Sequence, residues 1–161
     1  MALLQLRSED ARIVYLATIY HLGRPGSETH PDTLQKHDMG LQPIHDEILP
    51  RLNQAVVEID ASPYQVIKIG EALAGVGNEL KAFALSNGRS MVPRFTATVH
   101  DLYPETVEEP SAAMDLVQHP VMLRNRLSYA LEQAQREIAE AQAQSEADRR
   151  ARKRWWQVWR S

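Results

Sequence analysis

The sequence predicts an all-α protein: a single helical bundle of about five helices whose long C-terminal helix extends into a basic amphipathic tail. Three observations lead there. Apolar residues recur at steps of three and four over several long stretches. Only 6% of the chain is aromatic, with three Trp, five Tyr and two Phe, so a core must be built from Leu, Ile, Val, Ala and Met, a composition that suits packed helices. Proline and glycine punctuate the chain at helix-length intervals. With 161 residues, 43% of them hydrophobic, one domain can bury its own core without a disulfide or a structural metal.

The first helix starts at Ser8-Glu9-Asp10, a capping hydroxyl followed by two carboxylates that favour the positive end of the helix dipole. It runs through Ala11, Ile13, Val14, Leu16, Ala17, Ile19 and Tyr20 to Gly23, where a left-handed glycine cap followed by Pro25 stops it. Its apolar residues occupy much of the circumference, which predicts a central position in the core. Residues 24–42 are the most loop-like stretch, with room for only a short helix after Pro31. Pro43 starts a helix carrying Ile44, Ile48, Leu52, Ala55, Val56 and Ile59, with a kink or break at Pro50.

Ser62-Pro63 supplies a cap and a first-turn proline for the most regular helix of the chain, in which Val66, Ile69, Leu73, Val76, Leu80 and Phe83 form one seam. Gly70 and Gly77 fall on one side of it and predict a close neighbouring helix. Asn87-Gly88 ends it. Residues 91–104 fit both an alternating and a helical pattern; with no second strand candidate to pair with, the stretch is read as helix ended by Pro104. The acidic linker ETVEEP, a short helix from Ser111 to about Gln118, and a last helix opened by Pro120 complete the body.

That last helix carries Leu123, Leu127, Ala130, Leu131, Ala134, Ile138 and Ala141, and then its apolar seam fades into AEAQAQSEAD, residues 139–148. This gives a bundle domain over 1–135 and a polar helical extension with a Trp/Arg-rich tail over 136–161. Residues 146–161 hold six Lys/Arg against Glu146 and Asp148, a local charge of +4, while the whole chain is −3 and the remainder therefore −7. Anion attraction is concentrated at the tail.

As a helix, residues 149–160 would set Trp155, Trp156, Val158 and Trp159 on one side and Arg149, Arg150, Lys153, Arg154 and Arg160 on the other, with Arg152 left on the apolar side. These ten residues are the candidate binding site. Tryptophan and arginine dominate protein interfaces, and an indole face opposed to a cationic face also suits an anionic membrane surface. A protein partner is the first expectation, peripheral membrane contact the second, and single-stranded nucleic acid bound by indole stacking the third. The last helix could also join copies of the chain as a coiled coil. The opposed reading folds the tryptophans back to finish the protein's own core.

Signals for chemistry are sparse. There is no cysteine, which removes disulfides and thiolate sites. His21, His30, His37 and His45 lie close in sequence near Asp38, Asp46 and Glu47, and are metal-ligand candidates, but none has the HxxxH spacing that puts two ligands on one helical face. Arg24 and His30 match R-x(4–6)-H and so resemble HEPN-type ribonucleases, also small helical proteins; the resemblance covers seven residues and implies RNA cleavage that depends on His30. This is the enzymatic alternative. The expected function is a non-catalytic adaptor or regulatory protein without a cofactor. With no export signal in MALLQLRSEDAR and no apolar run long enough to span a bilayer, the expected location is the cytoplasm, with peripheral membrane contact.

Overall fold

The computed structural model describes residues 2–23 and 40–158. In chain order these form β1 (Ala2–Arg7), α1 (Ser8–Leu22), α2 (Leu41–Ile48), a 3-10 turn (Leu49–Arg51), β2 (Val56–Ala61), α3 (Pro63–Leu85), α4 (Pro93–Leu102), α5 (Glu105–Glu108), a second 3-10 stretch (Pro110–Leu116) and α6 (Gln118–Val158). Among the described residues the architecture is all-α apart from one two-stranded sheet. No described helix is long and apolar enough to cross a membrane. The chain divides into two compact units, Met1–Ser128 and Tyr129–Ser161, with the boundary inside α6.

In the first unit, α1 and α3 supply most of the core. Ala11, Ile13, Val14, Leu16, Ala17 and Ile19 of α1 are buried, as its crowded apolar circumference predicts. The whole predicted seam of α3, Val66, Ile69, Leu73, Val76, Leu80 and Phe83, is buried too. The start of α3 is fixed by a capping box: Ser62 Oγ accepts from the Gln65 backbone N–H at 3.1 Å, and Gln65 Oε1 accepts from the Ser62 N–H at 2.8 Å. Gln65 Nε2 also donates to the Gly40 carbonyl at 2.9 Å, tying the entry of α2 to that cap. Asn87 and Gly88 take positive φ and end α3. Residues 93–102 are helical, which resolves the ambiguous stretch in favour of helix.

The sheet is the main departure from the sequence expectation. Residues 43–59 do not form one kinked helix; α2 gives way at Pro50 to a single 3-10 turn, and the chain re-enters as strand β2. β2 pairs antiparallel with β1, from Arg7 opposite Val56 to Ala2 opposite Ala61. Leu6, Val57, Ile59 and Ala61 are buried on its inner face. Val56 and Ile59 continue the helical spacing of α2, while Val57, Ile59 and Ala61 alternate as the buried face of a strand requires, and the partner strand lies in the first seven residues, to which periodicity assigns no element.

β1 continues into α1 without a loop. The Ser8 N–H donates to the Ala55 carbonyl at 3.0 Å, extending the sheet ladder by one pair. The helix therefore begins at Ser8 with Arg7 in the capping position, and no side-chain hydroxyl caps it. At the other end, Gly23 has φ −93° rather than a left-handed conformation. It is required for space, because a Cβ there would sit 2.7 Å from Val92 Cγ1. Part of the acidic linker folds as the short helix α5, and the short helix expected from Ser111 to about Gln118 is a 3-10 helix over Pro110–Leu116.

Gly70 and Gly77 face the start of α6, but at ordinary contact distance: added Cβ atoms would lie 3.8 Å from Arg124 Cγ and 3.9 Å from Pro120 Cγ. The tight approach is at Gly75, where a Cβ would overlap the Tyr20 ring of α1.

Candidate functional site

Residues 139–156 are continuous helix within α6. Alanine, glutamate, glutamine and arginine favour that conformation. Two contacts one turn apart support it: Glu146 to Arg150 at 4.0 Å and Gln144 Nε2 to Asp148 Oδ1 at 3.2 Å. The same stretch carries five cations between 149 and 154, ahead of a last turn that holds none.

Arg149, Arg150, Arg152, Lys153, Arg154, Trp155 and Trp156 all lie on this helix, and all are exposed. Trp155 keeps 58% of its surface in solvent and Trp156 65%. Neither completes a core. Their rings pack edge to face, with centroids 6.1 Å apart and planes at 86°, a geometry aromatic quadrupoles favour. No residue from Tyr129 through Trp156 is buried. Val158 is the last residue of α6, whereas Trp159 and Arg160 lie outside the described residues.

Two of the four histidine candidates lie among the described residues. His21 and His45 are buried, on α1 and α2, while His30, His37 and Asp38 lie outside the described residues, as do Arg24 and the HEPN-like pattern it makes with His30. Among the described residues no group of three or more His, Asp and Glu side chains could hold a metal. His45 stacks on Tyr15 at 5.1 Å and places Nδ1 2.9 Å from Asp46 Oδ1. Its buried Nε2 has no hydrogen-bond partner among the described residues. When Nδ1 donates to the carboxylate, Nε2 is left as a bare acceptor.

One cluster was missed by sequence reasoning. Asp10, read there only as a first-turn carboxylate favouring the helix dipole, is 3% exposed. Its Oδ1 lies 2.8 Å from both His119 Nε2 and Arg126 Nη2, and Arg7 Nε stands 3.7 Å from Oδ2. Burial pushes the carboxyl pKa up, but the hydrogen bonds from His119 and Arg126, with the charges behind them, outweigh it and hold the group below the ordinary aspartate value. The contacts of His119 and Arg126 with Asp10 tie α1 to the first turns of α6.

On the tail helix, exposed aromatic area and concentrated charge coincide. No family model, curated protein or solved structure matches the chain.

Proposed function

We propose that this is a non-catalytic helical adaptor or regulatory protein that docks through its C-terminal Trp/Arg helix, first to a protein partner and alternatively to an anionic membrane surface from the cytoplasmic side. The observation that carries the reading is a helix with no buried residue from Tyr129 through Trp156 that nevertheless displays two large indoles beside five cations. Covering exposed tryptophan stabilises a complex by roughly 2–3 kcal/mol per side chain. The cations add steering toward an acidic partner, and about 1 kcal/mol each near anionic lipid.

The test compares the full chain with one ending at Ser145 and with the Trp155→Ala/Trp159→Ala variant, for capture of protein partners and for co-sedimentation with vesicles containing phosphatidylserine. Both changes should abolish binding while far-UV circular dichroism of the first unit is retained. Undiminished binding by both altered chains would remove the tail from the function.

A further inference from the structure

The docking reading leaves open which surface the helix meets, and its own pattern suggests one. At about 100° per residue, Ala141, Ser145, Asp148, Arg152 and Trp155 fall within an arc of roughly 80° on one side of the helix. A shallow trough runs along this side, lined by Ala141, Gln144, Ser145, Asp148, Arg149 and Arg152. The spacing of three and four is that of a coiled-coil seam, but the middle of the seam is charged: Asp148 and Arg152 stand where apolar residues belong. Arg152 makes no ion pair among the described residues, and Asp148 has only the Gln144 amide.

We propose that the occupant of this face is the same face of a second copy of the chain, packed antiparallel. The register that sets Asp148 against Arg152 of the second copy also sets Arg152 against its Asp148, because the two-fold axis passes between them. The next layer outward on each side then brings Trp155 against Ser145 of the other copy, a large side chain over a small one. Charge complementarity extends beyond the seam. Residues 139–148 carry Glu140, Glu146 and Asp148 with no cation, and residues 149–156 carry Arg149, Arg150, Arg152, Lys153 and Arg154 with no carboxylate.

An antiparallel pair lays the acidic run of each copy on the basic run of the other. A parallel pair would stack Asp148 on Asp148 and Arg152 on Arg152, and basic run on basic run, which like-charge repulsion disfavours. A buried polar pair of this kind specifies register and orientation even where it adds little net affinity. The inference rests on the tail being a docking surface and names its partner. It also explains why the apolar stripe of the helix is interrupted by charge before the tryptophans resume it.

Sedimentation equilibrium on the full chain at about 100 µM should give twice the 18.3 kDa chain mass. Asp148→Arg alone and Arg152→Asp alone each place like charges in both central layers and should weaken association about tenfold or more. The double exchange Asp148→Arg/Arg152→Asp should restore it to within about threefold, a recovery that a general loss of helix or solubility would not produce. Orientation is read separately, since the chain has no cysteine. The Ser145→Cys variant should resist oxidative cross-linking, because the antiparallel register holds the two sulfurs about 15 Å apart, whereas a parallel pair would join them.

A monomeric wild-type chain, single exchanges without effect, a double exchange without recovery, or a cross-linked Ser145→Cys variant would each overturn antiparallel self-pairing. A monomeric chain that still binds vesicles or a foreign protein through its tail would leave the docking function standing and remove only the second copy.

Discussion

Asp10 on α1 and His119 on α6 are 109 residues apart in sequence and 2.8 Å apart in space, with Arg126 on the same carboxylate oxygen. The contact joins the first turn of α1 to the first turns of α6 within the Met1–Ser128 unit. Asp10→Asn should therefore lower stability at neutral pH by about 1–3 kcal/mol, a drop of several degrees in melting temperature for a chain of this size.

The same contact sets a pH dependence. The carboxyl of Asp10 is held below its ordinary value in the folded protein, so its contribution is fully present above the unfolded pKa, about 3.9, and is lost as pH falls through the folded value. Urea denaturation between about pH 5 and pH 2 should show the wild type losing stability more steeply than Asp10→Asn. Parallel slopes would mean that Asp10 is not the group responsible.

Glycine substitutions along α3 should separate by what faces each one. Gly75→Ala drives a methyl group into the Tyr20 ring and should destabilise by about 1–3 kcal/mol. Gly70→Ala and Gly77→Ala meet neighbours at 3.8 and 3.9 Å, and the gain in helix propensity should stabilise by about 0.5–1 kcal/mol each. Thermal melts of the three single variants give the comparison directly.

His45 keeps a buried Nε2 that bonds to nothing among the described residues. His45→Phe retains the stack on Tyr15 and removes that acceptor, so the melting temperature should stay level or rise, since an unsatisfied buried polar atom costs about 1–3 kcal/mol. A fall of several degrees that disappears in the presence of a chelator would instead identify Nε2 as a metal ligand.

A chain ending at Ser145 loses no buried residue among those described. In dilute solution its melting temperature should match that of the full chain to within a degree or two. Removing a tryptophan from a core would instead cost roughly 3–5 kcal/mol.

Much of this was legible in the residues. The seam of α3, its Ser62–Gln65 cap and the Asn87-Gly88 stop are local signals, and local hydrogen bonds carry them out. The sheet was not legible in the same way. Glu58 and Asp60 alternate with Val57, Ile59 and Ala61 as a half-buried strand requires, but Val56 and Ile59 also continue the spacing of α2, and the pairing strand lies far away, at the start of the chain. Asp10 did leave a signal. It lies three, four and seven residues before Ile13, Val14 and Ala17, hence on the buried face of α1, while Glu9 points away. What periodicity could not supply was the identity of the partners, His119 and Arg126, which only the tertiary fold brings to it. For the tail, the two faces follow from the residues on the condition that they are helical, which holds for residues 149–158, while Trp159 and Arg160 lie outside the described residues.

The tryptophan emission of the free protein tests the central claim most directly, because all three indoles lie in the tail. At the lowest measurable concentration, emission should be that of solvent-exposed indole. It should shift to the blue as concentration rises, or when phosphatidylserine vesicles or a captured protein partner are added, and the chain ending at Ser145 should give no signal. Emission already blue-shifted at the greatest dilution, and indifferent to every addition, would mean that the tryptophans are buried in their own chain and would contradict the account.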